Sequence, residues 1–215
     1  EMNCKYYYWW FKSVLSPKMC EDIINMGLKQ KSHRAITGTE SLKLKKKNNL
    51  SSKDVQDLKK IRNSKIVFLQ EKNLYRIIDH YLGLANRSAG WNFQYDFIEN
   101  PQFTIYKKKD HYTWHRDAFK EPYEHDHHYK NYRNKIRKLS MVIQLSDPKK
   151  YKGAELEFDF RESTNNKLEI IRCNEFNNNR GSVIVFPSFV HHRVKSLIKG
   201  TRYSLVSWTL GNPYV

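Results

Sequence analysis

From Trp91 onward the chain is broken into short runs of strand-forming residues closed by turn formers, and this constrains the fold more than any other feature. WNFQYDFIE (91–99), QFTIY (102–106), LSMVIQLS (139–146), AELEFDF (154–160), LEIIR (168–172), SVIVF (182–186), HRVKS (192–196) and RYSLVSW (202–208) all read as strands. Several recur at intervals of about 8–12 residues, and helical periodicity is scarce between them. The pattern predicts a mainly β chain, an antiparallel sandwich or jelly roll, with its helices packed outside. Those helices belong to the first ninety residues. Tyr6–Val14 reads as a strand, and Ser16-Pro17 then supplies the cap and first-turn chemistry for a helix ending near Leu28. Leu74–Asn86 places Leu74, Ile77, Ile78, Tyr81 and Leu82 on one helical face. No repeat or linker divides the 215 residues, so one domain is expected: N-terminal strand and helices over 1–90 and a β core over 91–210.

Charge is the next constraint. Lys and Arg number 39 against 22 Asp and Glu, giving a formal net charge of +17. Such a balance suits nucleic acid, an anionic surface or an acidic substrate, and a Lys- and Asn-rich bias also arises in AT-rich genomes. The excess is not evenly spread. Residues 29–65 hold twelve Lys/Arg and three Asp/Glu, so nine of the seventeen net charges fall in that stretch. It reads as loops plus one short helix near Lys53–Arg62. Its readings are a solvated surface, a loop recruiting an acidic peptide or protein, and a nucleic-acid contact. The absence of Phe, Trp and Tyr within it counts against single-strand stacking.

Cys4, Cys20 and Cys173 are odd in number and widely spaced, which excludes a disulfide framework or zinc ribbon and fits a reducing compartment. The longest apolar-rich run, Ser182–Val190, is interrupted by Pro187 and is far short of a membrane span. EMNCKYYYWWF has aromatics where a signal peptide has a charged and then an aliphatic region, so a soluble cytoplasmic protein is expected.

The chemistry-bearing residues lie in the β half. His115 and Asp117, two apart in YTWHRD, would share one face of an extended strand and offer two neighbouring ligands to a divalent metal. Alone, H-x-D also describes a surface hydrogen-bonded pair. A third ligand is available where FPS is followed by His191 and His192. Two histidines and one carboxylate from distant strands form the facial triad of non-haem Fe(II) oxygenases, with coordination positions left for a chelating co-substrate and O2. Arg202 would supply a planar fork for the far carboxylate of a dicarboxylate such as 2-oxoglutarate, and Ser204, two residues on, would face the same way.

In order along the chain stand Tyr106 nine residues before His115, then Asp117, then Gly153, Glu155 and Leu156. Phe186-Pro187-Ser188, His192 and Val194 follow, and then Gly200, Arg202, Ser204, Leu205 and Trp208. This sequence resembles the 2-oxoglutarate/Fe(II)-dependent dioxygenase superfamily, in the prolyl 4-hydroxylase-like branch that includes small bacterial and phage PKHD-type hydroxylases. The resemblance spans roughly Trp91 to Trp208. It departs from the family at Lys109 and Ala154, where glycine is usual, which bears on loop shape rather than chemistry.

The resemblance implies a double-stranded β-helix core and an enzyme that hydroxylates a C–H bond, most simply of a prolyl or other residue in a protein or peptide. It implies Fe(II) on His115, Asp117 and His192, 2-oxoglutarate anchored by Arg202 with Ser204 and Tyr106, and ascorbate as a maintaining reductant. The H-x-V spacing and the ten-residue step to Arg202 select His192 over His191. A nucleic-acid base dioxygenase and a metal-binding scaffold without turnover are the rival readings. His125, His127 and His128, in EPYEHDHHYKNYRNKIRK (121–138), match no closed zinc geometry and read as a loop at the site's mouth. Trp91, Trp114 and Trp208 are core candidates, with Trp114 a second candidate for the cavity lining.

Overall fold

A computed structural model describes residues 6–35, 51–119, 121–160 and 170–214. The central part of the basic stretch (36–50), Cys4 and the start of LEIIR lie outside the described residues. Three helices of two or more turns are described: α1 Pro17–Leu28, α2 Ser52–Ile61 and α3 Lys72–Ser88. The strands are β1 Trp9–Phe11, β2 His33–Arg34, β3 Arg62–Asn63, β4 Lys65–Phe68, β5 Phe97–Ile98, β6 Gln102–Tyr106, β7 His111–His115 and β8 Ile136–Gln144. They continue with β9 Lys152–Gly153, β10 Leu156–Asp159, β11 Ile170–Arg172, β12 Val183–Pro187, β13 His191–Val194, β14 Leu197–Lys199 and β15 Arg202–Gly211.

Two antiparallel sheets carry the site. The larger runs β1-β12-β8-β15-β6-β4-β2, with β5 added to β15, and the smaller runs β11-β10-β13-β7-β3. Strand alternation sorts the large sheet's side chains into two layers. Phe103, Ile105, Met141, Ile143, Val183, Val185 and Leu205 face the helices and meet Ile23 of α1 and Leu74, Ile78 and Leu82 of α3. The intervening Tyr106, Val142, Ile184 and Phe186 face the small sheet and pack with Leu156, Phe158 and Val194. Burial on both faces explains why β8 reads as a nearly continuous apolar run.

The helices form where the caps and periodicity require. The side chain of Ser16 accepts from the Met19 N–H at 3.2 Å and Pro17 opens α1. Ser51 and Asp54 make a reciprocal capping box at α2. Gly27 lies against the Phe103 ring, which a Cβ there would strike, so α1 can approach the sheet only with glycine at that position.

Several elements are shorter than their sequence patterns. The expected strand Tyr6–Val14 pairs only at Trp9–Phe11, because Ser13 adopts a positive φ of 47° and turns the chain toward α1. Of WNFQYDFIE only Phe97–Ile98 is strand. Asn92 has φ 50°, and the Asn86 side chain captures both backbone groups of Phe93, so the start of this run is a loop. The strand β4 was hidden at the end of the basic stretch and opens beside β6. Lys109 and Ala154, the two departures from the glycine pattern, have φ of 71° and 55°. Both loops therefore keep the left-handed backbone that glycine favours, with non-glycine residues bearing the strain.

Candidate metal centre

Two neighbouring strands of the small sheet and one turn of the large sheet converge at this site. β13 pairs with β7 so that His192 stands opposite His115, and a register shift lets Tyr112, three residues before His115, line the same cavity. The chain leaves the sheet after His115. There the N–H groups of both Asp117 and Ala118 donate to the Ser188 carbonyl at 2.9 Å, fixing Asp117 against the turn that follows β12. The H-x-D pair thus works from a strand end and the bend after it, not from one continuous strand.

One ligand atom each from His115, Asp117 and His192 lies within 4.8 Å of the others. His115 Nε2 is 3.6 Å from Asp117 Oδ1 and His192 Nε2 is 3.5 Å from Asp117 Oδ2. These spacings are long for direct hydrogen bonds. The Nδ1 atoms face carbonyl oxygens instead, Thr113 at 2.7 Å for His115 and Val190 at 3.0 Å for His192. A carbonyl can only accept, so each Nδ1 holds the proton and each Nε2 lone pair points to the shared centre. Burial, reinforced by His192, pushes the His115 pKa well below its ordinary value and keeps the ring neutral. Burial works to raise the Asp117 carboxyl, but His192, His115, Arg137 and a hydrogen bond from Trp208 outweigh it and bring it to about 2. Ser140 Oγ donates to Asp117 Oδ2 at 2.7 Å and lies 2.9 Å from Ser188 Oγ. Two neutral imidazoles and one ionised carboxylate on one side of a cavity are the donor set of a divalent metal with open positions.

The large sheet supplies the opposite wall. Arg202 is 1% exposed and paired in register with Tyr106, its Cζ 5.7 Å from that ring's centroid. Its Nε and Nη2 are sealed from solvent without a hydrogen-bond partner. Ser204, also buried, follows on the same face. Burial raises the Tyr106 pKa, against the pull of Arg62 and Arg202, so its phenol remains a donor. A buried charged donor without an acceptor is costly to a fold. Here the wall offers two free N–H groups, a phenol and a hydroxyl, which is what a carboxylate takes up.

A profile for the 2OG-Fe(II) oxygenase superfamily matches residues 101–210, a stretch that contains all six of these residues. The chain belongs to this superfamily. It is a 2-oxoglutarate-dependent dioxygenase, whose cofactor is Fe(II) and whose co-substrate is 2-oxoglutarate, and the donor set and the unpartnered Arg202 fit that pair. The oxygenase is 33% identical over 112 residues to a PKHD-type hydroxylase of Pseudoalteromonas atlantica, covering 52% of this chain. The match spans 43% of that relative's length. Among solved structures it resembles a prolyl-4-hydroxylase of Pseudomonas putida, with TM-score 0.58 and 15% identity over 97% of this chain and 95% of the other. It also resembles a Trichoplax adhaerens prolyl hydroxylase in complex with a hypoxia inducible factor peptide fragment, with TM-score 0.59, 14% identity, and 95% and 84% coverage. These likenesses show the fold, the jelly roll of the oxygenases.

The other sequence candidates divide. His191 alternates with His192 and faces the opposite side of β13, in register with Asp159. His127 is built into the loop: its Nδ1 accepts from the Tyr129 N–H at 3.1 Å and its ring stacks on Tyr132 at 5.0 Å. Neither His125, His127 nor His128 joins a metal-type cluster among the described residues. Trp91 and Trp208 are buried, but Trp114 lies under the Arg193 guanidinium at 4.6 Å on the outer side of the small sheet. Motif reading missed the wall beside Asp117. Arg137 makes a two-pronged pair with Glu99, at 2.6 and 2.9 Å, and lies 4.0 Å over the Trp208 ring. Tyr132 donates to the same Glu99 at 3.3 Å, which ties the histidine-rich loop to this wall. Glu99 and Arg137 are 38 residues apart with no motif around them, so only strand register could have joined them.

Proposed function

We propose that His115, Asp117 and His192 hold Fe(II) and that Arg202, Tyr106 and Ser204 hold the distal carboxylate of 2-oxoglutarate. On this reading residues 6–214 act as one catalytic domain that hydroxylates a prolyl or other residue of a protein or peptide. The family chemistry consumes O2 and 2-oxoglutarate, yields succinate and CO2, and places one oxygen atom into a C–H bond of the substrate. The chain's own part is to present two Nε2 lone pairs and one carboxylate, keep Asp117 ionised through Ser140, and exclude water around Arg202. The observation that carries the reading is the sealed Arg202 fork, unpartnered, across the cavity from the triad. The protein or peptide substrate is supported by the two structural relatives whose names give prolyl hydroxylation, one of them holding a peptide.

Two measurements test this. Peptide, protein and oligonucleotide pools are incubated with Fe(II), 2-oxoglutarate and the enzyme, then analysed by mass spectrometry. Gain of one oxygen atom on a peptide is expected, and oxidation or demethylation confined to the oligonucleotides would overturn the substrate class. Metal titration of two variants tests the distal ligand. His192→Ala is expected to weaken Fe(II) binding by more than about a hundredfold, the loss exceeding that of an outer-shell partner. His191→Ala should stay within about twofold, as expected of a residue outside the site. The reverse order would reassign the ligand.

A further inference from the structure

The basic stretch sends one side chain between the sheets. After α2 the chain forms β3 at the edge of the small sheet, with Arg62 opposite Tyr112, and enters the large sheet as β4 with Lys65 opposite Ile105. Arg62 therefore sits where the chain crosses between sheets, beside the strands that carry His115 and Tyr106. It is 8% exposed. Its Nε donates to Ser64 Oγ at 3.1 Å, and its Cζ lies 4.6 Å from the Tyr112 ring, which in turn stacks on the His115 imidazole at 3.4 Å.

The rest of the guanidinium is unspent. Neither Nη atom has a hydrogen-bond partner among the described residues, and no described carboxylate pairs with Arg62. Arg202 is in the same condition. Both cations act on the Tyr106 phenol, Arg62 more strongly than Arg202. Two nearly buried guanidiniums around one phenol, with no anion of the protein between them, form an electrostatic imbalance that an anionic ligand would relieve. The metal-type ligands take up one end of a 2-oxo diacid, which leaves its other carboxylate as the anion available here.

We propose that Arg62 is a second anion-binding residue of the co-substrate pocket, sharing the distal carboxylate with Arg202. The inference rests on the 2-oxoglutarate reading above. It means that preference for a dianionic 2-oxoacid is set by guanidiniums from both ends of the chain. It also gives the carboxy-terminal end of the basic stretch a role inside the cavity rather than on the surface.

The test compares 2-oxoglutarate with 2-oxopentanoate, which has the same chain length but no distal carboxylate. Binding is measured by calorimetry on Mn(II)-loaded protein, wild type and Arg62→Gln. The variant is expected to bind 2-oxoglutarate about tenfold more weakly, the scale of one charge-assisted hydrogen bond, while Mn(II) and 2-oxopentanoate change by less than about twofold. Arg62→Lys should recover part of the loss. If Arg62→Gln fails to fold, Arg62→Met, which keeps an apolar stem on Tyr112, is compared with Arg62→Lys in the same way. Unchanged 2-oxoglutarate binding, or equal weakening of both acids, would overturn the proposal and leave Arg62 as a packing residue. Wild-type protein that binds Mn(II) but not 2-oxoglutarate would overturn the co-substrate reading and this inference together.

Discussion

Asp117→Ala is expected to abolish 2-oxoglutarate turnover and to weaken Fe(II) binding by more than about a hundredfold, since it removes a ligand outright rather than an outer-shell partner. Asp117 is the only carboxylate of the triad, and its oxygens lie within 3.6 Å of both imidazole Nε2 atoms. It is also the anion that gives the donor set its charge. The loss should be catalytic without being structural. The backbone bonds from residues 117 and 118 to Ser188 survive the substitution, and Ser140 Oγ keeps Ser188 Oγ as a partner. Thermal unfolding of the metal-free variant should therefore differ from wild type by no more than about 1–2 kcal/mol in either direction. Asp117→Asn keeps the shape and loses the charge, so it should share the metal defect. Turnover at the wild-type rate in either variant would remove Asp117 from the metal centre.

Arg202→Ala is expected to raise the 2-oxoglutarate needed for half-saturation by about a hundredfold or more, with Fe(II) affinity changed by less than about threefold. The estimate follows from losing charge-assisted bonds to a carboxylate, each contributing about 1.5–3 kcal/mol in a water-excluded site. The metal ligands lie on the facing sheet, so their geometry should persist. The substitution has a second signature. Arg202 is sealed in the fold with Nε and Nη2 unpartnered, a state that opposes stability until an anion arrives. Arg202→Met, which fills the space without the charge, should match or exceed wild-type thermal stability in the absence of 2-oxoglutarate. An unchanged 2-oxoglutarate requirement would show that the fork points at something else.

Local chemistry explains how much was legible in the sequence. The jelly-roll strands QFTIY, SVIVF and RYSLVSW were readable because their two-residue alternation or continuous apolarity reflects burial on one face or both. The triad was readable because two of its members sit two residues apart and the third follows a turn with a fixed pattern. The choice between His191 and His192, ambiguous as a doublet, corresponds in the structure to the alternation of β13 between its two faces. What escaped depends on pairing across the sheets. Arg62 looks like one more lysine-rich surface charge until β3 pairs with β7. Glu99 and Arg137 meet only because β8, β15 and the loop before β6 come together, and neither carries a local signature. Strand ends were misjudged where a side chain such as Asn86 captures backbone groups or a non-glycine residue takes positive φ, as Ser13 and Asn92 do.

The most direct test is an anaerobic titration of 2-oxoglutarate into Fe(II)-loaded protein, followed by the visible charge-transfer absorption of the chelated metal. Wild-type protein should develop a saturable band, Asp117→Ala should give none, and Arg202→Ala should need far more 2-oxoglutarate to reach the same intensity. No band in the wild type, or a full band in Asp117→Ala at wild-type concentrations, would contradict a centre built from His115, Asp117, His192 and Arg202.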